Sequence, residues 1–126
     1  MLTIKGELGV EEFYEVIFRG KPILIDDQIK DTVQKSFDFL KEFSENKIIY
    51  GVNTGFGPMA QYKIKDSQRT ELQYNLIRSH SSGTGNVIAP MYVKAAMLAR
   101  LNTLSLGNSG VHISVVDLMT SLINKD

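Results

Sequence analysis

The chain contains no cysteine. Disulfides and thiolate metal sites are therefore excluded, and a reducing cytoplasm is the expected compartment. It also lacks charge of one sign: fourteen basic side chains meet fourteen acidic ones, with no dense basic run. Nucleic acid and anionic membrane are accordingly not expected as partners. No apolar run approaches the roughly 18 residues of a membrane span. The opening "MLTIKGELGVEE" has no basic segment leading into an apolar one, so no signal peptide is read there. Several chemical signatures are missing as well. There is no G-x-G-x-x-G after a strand, no Gly-Lys-Ser/Thr, no H-E-x-x-H and no G-x-S-x-G elbow. The two histidines, His80 and His112, are too far apart for a helical metal pair, so no metal site is expected.

What is present is the balance of an ordinary globular protein, 43% hydrophobic and 22% charged, long enough for one domain spanning residues 1–126. "LTIKG" and "PILID" are short apolar runs bounded by turn formers and read as a small two-stranded ribbon. "VEEFYEVIF" between them reads as a helix ended by Gly20. Asp26 or Asp27 caps the next helix, whose buried face is Ile29, Val33, Phe37 and Leu40, widened by Phe39 and Phe43 and ended by Asn46. A third helix begins near Asp66 or Ser67 and carries Leu72, Leu76 and His80 on one face. Pro90 opens a fourth, with Val93, Met97, Leu101 and Leu104 as its stripe. "VHISVVDLMTSLIN" forms a fifth along Ile113, Val116, Thr120 and Ile123. The fold class is mainly α. The last helix is apolar over more than half its circumference, and its Val115, Leu118 and Leu122 call for cover from further chain or from other subunits.

The stretch "YGVNTGFG", Tyr50 to Gly57, concentrates three of the ten glycines. Gly51, Gly55 and Gly57 permit positive φ, and Asn53 tolerates the left-handed region, so a bent loop follows. Spacing alone reads it as a helix connection with Tyr50 as a packing residue, and His80 as a hydrogen-bonded core histidine. Asn108-Ser109-Gly110 reads as a turn at a helix end.

Three segments taken together, "YGVNTGFG", "LQYNLIRSHSSGTG" and "RLNTLSLGNSGV", resemble the N-terminal part of the aromatic amino-acid ammonia-lyases, and within them the histidine branch. The resemblance covers nearly the whole chain. It implies a helical N-terminal domain of the ammonia-lyase/fumarase–aspartase type and a non-oxidative elimination of ammonia from an aromatic amino acid, L-histidine giving urocanate. In such enzymes a methylidene-imidazolone, formed by cyclisation of an internal Ala-Ser-Gly, is the electrophile that makes the substrate amine a better leaving group. The resemblance makes Tyr50 the catalytic tyrosine, a proton acceptor or donor. It makes Ser79 and His80 the substrate-selectivity pair, and Gly57 a point where the loop passes the substrate's amino group. An imidazole left in an apolar pocket would lose about 1–3 kcal/mol for unpaired nitrogens, which gives the Ser-His pair its purpose.

The chain departs from the family in having no Ala-Ser-Gly. That tripeptide belongs to a later segment of the family's much longer chains, whose sites combine residues from more than one subunit of a tetramer. The expectation is therefore an N-terminal fragment. It would carry no prosthetic group of its own, depend on the rest of the lyase chain and sister subunits, and be inactive alone. A tyrosine ammonia-lyase or aminomutase fragment is the alternative of the same class. A non-catalytic amino-acid-binding or assembly module with the same fold is the alternative of a different one.

Overall fold

The structure, a computed structural model, describes residues 1–125, with the side chains of Met59 and Asp66 left aside. Element order is β1 (Leu2–Ile4), α1 (Val10–Ile17), β2 (Ile23–Ile25), α2 (Asp27–Ser44), a 3₁₀ turn (Gly57–Met59), α3 (Asp66–His80), α4 (Pro90–Ser105) and α5 (Ile113–Asn124). The protein is mainly α, as expected, with the two short strands paired in parallel. It divides into two compact units. One comprises residues 1–40 with 87–126 and the other residues 41–86.

The first unit is built on a β–α–β crossover. Parallel strands need a connection of a dozen or more residues, and α1 supplies it. Leu2 pairs with Ile23 and Ile4 with Ile25. The ladder is extended by Leu2 N–H to Pro22 O (2.7 Å) and Asp26 N–H to Ile4 O (3.0 Å). Asp26 then starts α2, its Oδ1 accepting from Gln28 N–H at 2.9 Å. Helix α1 begins at Gly9, whose N–H is held by Glu12 Oε2 at 2.9 Å, one half of a capping box. The outer edge of β2 is closed by a side chain: Asn124 Oδ1 accepts from Ile23 N–H (2.8 Å) and Asn124 Nδ2 donates to Ile23 O (2.9 Å). Both backbone groups of Ile23 on that outer edge are thus satisfied.

The core of this unit joins Ile4, Ile23 and Ile25 of the sheet to Val16, Ile29 and Val33, and to Leu98, Leu101, Leu104, Val116 and Ile123. Helix α4 packs on α1 and α5, and α5 packs on β2. At about 1.5–3 kcal/mol per buried aliphatic side chain, this cluster is the principal driving force for the unit. On α2 the expected face is buried or half-buried at Ile29, Val33, Phe37 and Leu40, but Phe39 and Phe43 do not widen it, being 64% and 42% exposed. The helix ends at Ser44, ahead of Asn46. On α4 the buried stripe runs through Leu98 rather than Val93, which lies in the first turn and is 47% exposed. The α5 stripe is as expected, Val116 and Ile123 fully buried and Ile113 and Thr120 half-buried. Its opposite face leaves Val115, Leu118 and Leu122 exposed. An apolar groove of about 510 Å³ is lined by Ile17, Met91, Val93, Met97, Leu122 and Ile123, among others.

The turn "GNSG" between α4 and α5 locks these helices to α2. Gly107 has φ +72°, and a Cβ there would lie 2.6 Å from Thr32 Cγ2. Gly110 donates its N–H to Ser36 Oγ at 3.2 Å. His112 caps α5, its Nδ1 accepting from Ser114 N–H at 3.2 Å while its ring stands edge-on to Phe37. No helix among the described residues is long and apolar enough to cross a membrane.

Gly107→Ala combines a disfavoured φ with a collision. It is expected to destabilise the protein by about 1–3 kcal/mol. Gly6→Ala, where the new methyl meets nothing within 4 Å, serves as the control in a urea unfolding titration.

Candidate functional site

The second unit, residues 41–86, contains all four residues expected at a site: Tyr50, Gly57, Ser79 and His80. Its irregular part is organised by a buried asparagine. Asn53 is 1% exposed. Its Oδ1 accepts from Ile49 N–H at 2.8 Å, and its Nδ2 donates to Ser44 O (3.0 Å) and Lys47 O (2.7 Å). These are backbone groups released where α2 ends, and the carboxamide satisfies them in place of a further helical turn. The backbone of Asn53 is also engaged, its N–H with Ile49 O (3.2 Å) and its C=O with Ile64 N–H (2.9 Å). Gly55 N–H donates to Tyr62 O (3.3 Å), and Thr54 bridges antiparallel to Lys63. The loop is therefore a pinned hairpin whose tip carries the 3₁₀ turn from Gly57.

Asn53 does not use the left-handed region expected of it. Every positive φ among the described residues belongs to a glycine, and in this loop these are Gly51 (+75°) and Gly57 (+56°), with Gly55 in an ordinary conformation. The signal for Asn53 lay in its side chain, a polar group able to replace helix hydrogen bonds, and not in its backbone tolerance.

Tyr50 sits at the mouth of this hairpin, 63% exposed, its ring edge-on to Phe56 at 6.1 Å between centroids. It is thus presented on the surface of the unit rather than packed inside. A Cβ added at Gly57 would meet nothing within 4 Å, so its glycine answers to φ and leaves the space beside the loop open.

Ser79 and His80 lie in the last turn of α3. That helix starts from Lys65, which makes no side-chain cap; the side chain of Asp66, expected as the cap, lies outside the described residues. Leu72 and Leu76 are half-buried, but His80, expected beside them as a core residue, is exposed. It is nonetheless hydrogen-bonded: Nδ1 lies 2.8 Å from Leu76 O and 3.0 Å from Ser79 Oγ, which itself donates to Leu76 O at 2.9 Å. A carbonyl only accepts, so Nδ1 carries the proton. In the neutral ring Nε2 is then an acceptor. Ser79 and His80 thus form one unit around the Leu76 carbonyl. Among the described residues no hydrogen bond, ion pair or ring contact joins them to Tyr50. A groove of about 280 Å³ on the same unit, lined by Ile64, Gln68, Glu71, Leu72 and Asn75, contains none of the four.

The chain's two histidines should therefore populate opposite tautomers. Nδ1 donates in His80 and accepts in His112. Long-range ¹⁵N–¹H correlation spectra of the neutral rings are expected to show Nδ1–H for His80 and Nε2–H for His112. The Nε2–H pattern at both would overturn the assignment.

A family model described as aromatic amino acid lyase matches residues 8–126. The chain is 42% identical to the probable histidine ammonia-lyase of Thermoplasma acidophilum over 128 aligned positions, which are 100% of this chain and 26% of that protein. Among solved structures, a tyrosine aminomutase from Streptomyces globisporus superposes with a TM-score of 0.89 at 34% identity, covering 98% of this chain and 24% of the other. A histidine ammonia-lyase from Trypanosoma cruzi superposes with a TM-score of 0.83 at 27% identity, with the same coverage. The chain thus spans about a quarter of the length of these relatives, aligned along its whole extent. The family model, the sequence identity along the whole chain and the fold agree: the chain belongs to the aromatic amino acid lyase family.

Proposed function

We propose that this chain is the N-terminal region of a histidine ammonia-lyase and supplies one wall of its site. Elimination breaks the Cα–N and Cβ–H bonds and forms the Cα=Cβ bond, with ammonia leaving on the electron pair. The electrophile that activates the amine is, in this reading, a methylidene-imidazolone from a downstream Ala-Ser-Gly. No residue of the present chain can form it. Asn108-Ser109-Gly110 lies instead in the turn between α4 and α5, with the Gly110 amide held by Ser36.

The residues present have two tasks. Tyr50, exposed on its pinned loop, takes or returns a proton at the substrate. His80 reads the side chain. The observation that carries the histidine assignment is the hydrogen bond from His80 Nδ1 to Leu76 O. It leaves Nε2 as an acceptor suited to an imidazole N–H. A tyrosine hydroxyl is also a donor, and the likeness to a tyrosine aminomutase at 34% identity favours a tyrosine-directed lyase or mutase as the second reading. The exposed apolar face of α5 and the groove beside it are, on the same reading, covered by the remainder of the lyase chain and by sister subunits of a cytoplasmic tetramer.

In the complete enzyme, Tyr50→Phe is expected to lower kcat by about 10²–10⁴-fold, the range for a lost acid–base group, with an unchanged circular dichroism spectrum. Wild-type turnover would refute the role.

His80→Leu is expected to move the ratio of kcat/KM for histidine over phenylalanine by about 10–10²-fold toward phenylalanine, corresponding to about 1–3 kcal/mol for an unpaired imidazole nitrogen. An unchanged ratio rules out His80 as the selectivity residue. A larger gain for tyrosine than for histidine in the native enzyme selects the second reading.

A further inference from the structure

The residues on either side of Tyr50 are held by two side chains that follow it in sequence. Ile49 N–H donates to Asn53 Oδ1 at 2.8 Å, and Gly51 N–H donates to Thr54 Oγ1 at 3.3 Å. Asn53 and Thr54 are each 1% exposed, the most deeply buried polar side chains described in the unit. Every donor of these two side chains is committed within the loop and its approach. The Asn53 carboxamide is committed to Ile49, Ser44 and Lys47, and the Thr54 hydroxyl donates its own hydrogen bond to Gly55 O at 2.8 Å.

Tyr50 itself is tethered very little. Its side chain makes one described contact, the edge-on packing against Phe56, and among the described residues no hydrogen bond joins its phenol. The origin and direction of the Tyr50 Cα–Cβ bond follow from the backbone at residues 49–51, and Asn53 and Thr54 hold the amides on both sides of it, while Phe56 packs against the ring. Gly51, with φ +75°, would be the softest link of this segment without the hydroxyl that holds its N–H. A proton-transfer group displaced by about 1 Å can lose on the order of 10²-fold in rate.

We infer that Asn53 and Thr54 are positioning residues for the Tyr50 phenol, acting through the Ile49 and Gly51 amides. This rests on the reading of Tyr50 as the proton-transfer group. Neither residue touches the substrate in this scheme, so their removal should lower kcat and leave KM largely intact.

The test is a mutant cycle in the complete enzyme. Thr54→Val, which keeps the shape and removes the acceptor for Gly51 N–H, is expected to lower kcat by about 10–10²-fold with KM changed by less than about threefold. Thr54→Ser, which keeps the hydroxyl, should restore most of the rate. In the Tyr50→Phe background, Thr54→Val should cost nothing further, because the group it positions is already gone. An equal fold-loss in both backgrounds, or an unchanged kcat for Thr54→Val beside a slow Tyr50→Phe, overturns the proposal while leaving Tyr50 its role. Native turnover in Tyr50→Phe alone removes the role of Tyr50, and the proposal with it. Should valine prevent folding, Thr54→Ala carries the same cycle with the same outcomes.

Discussion

Backbone that leaves a helix or sheet must still find hydrogen-bond partners once it is buried, and in this chain asparagine side chains meet that demand. Asn124 closes both polar groups of Ile23 on the outer edge of β2. Asn102 reaches back from α4 to accept from Leu8 N–H at 3.0 Å, fixing the segment that leads into α1. Asn53 does the same for the end of α2. A carboxamide is suited to the task because it offers donor and acceptor together, at the separation of a peptide group. Each of these links joins an irregular or short segment that could not be held by its own periodic hydrogen bonds, at about 1–3 kcal/mol for every group that would otherwise be buried unpaired.

The consequence for the site is a division of labour within eight residues. Glycines in "YGVNTGFG" bend the chain and keep its surface open, while Asn53 and Thr54 are buried and immobilise it. Tyr50 is presented to solvent by a segment whose other polar residues face inward. A flexible composition thus yields a well-anchored loop. The Ser79–His80 pair is built on a different principle, using a carbonyl one turn back along the same helix to orient an imidazole.

Much of this was legible in the sequence wherever one local rule dominated. The α5 stripe, Pro90 as the first residue of α4, Asp26 as the cap of α2 and a pairing of "LTI" with "ILI" all follow from periodicity or cap chemistry. Errors arose where exposure depends on what lies opposite. Phe39 and Phe43 are apolar yet remain 64% and 42% exposed, and Val93 falls in the first turn of its helix, where Leu98 takes over the buried face. His80 shares the spacing of Leu72 and Leu76 yet is exposed, because half-buried leucines on one helix do not make a core. The roles of Asn53 and Asn124 were not legible, since a side chain's hydrogen bonds to irregular or distant backbone leave no periodic trace. Family membership came from the three motifs in their order, not from any single one.

The hydrogen bond between His80 and Leu76 O has one more consequence. Nδ1 donates to that carbonyl in the neutral imidazole and in the imidazolium alike, so the ring's anchor does not depend on its charge. Adding a proton changes only Nε2, which turns from acceptor to donor at a fixed position. The ring therefore keeps its place while the polarity of its outward nitrogen reverses, and the helix that carries it need not rearrange.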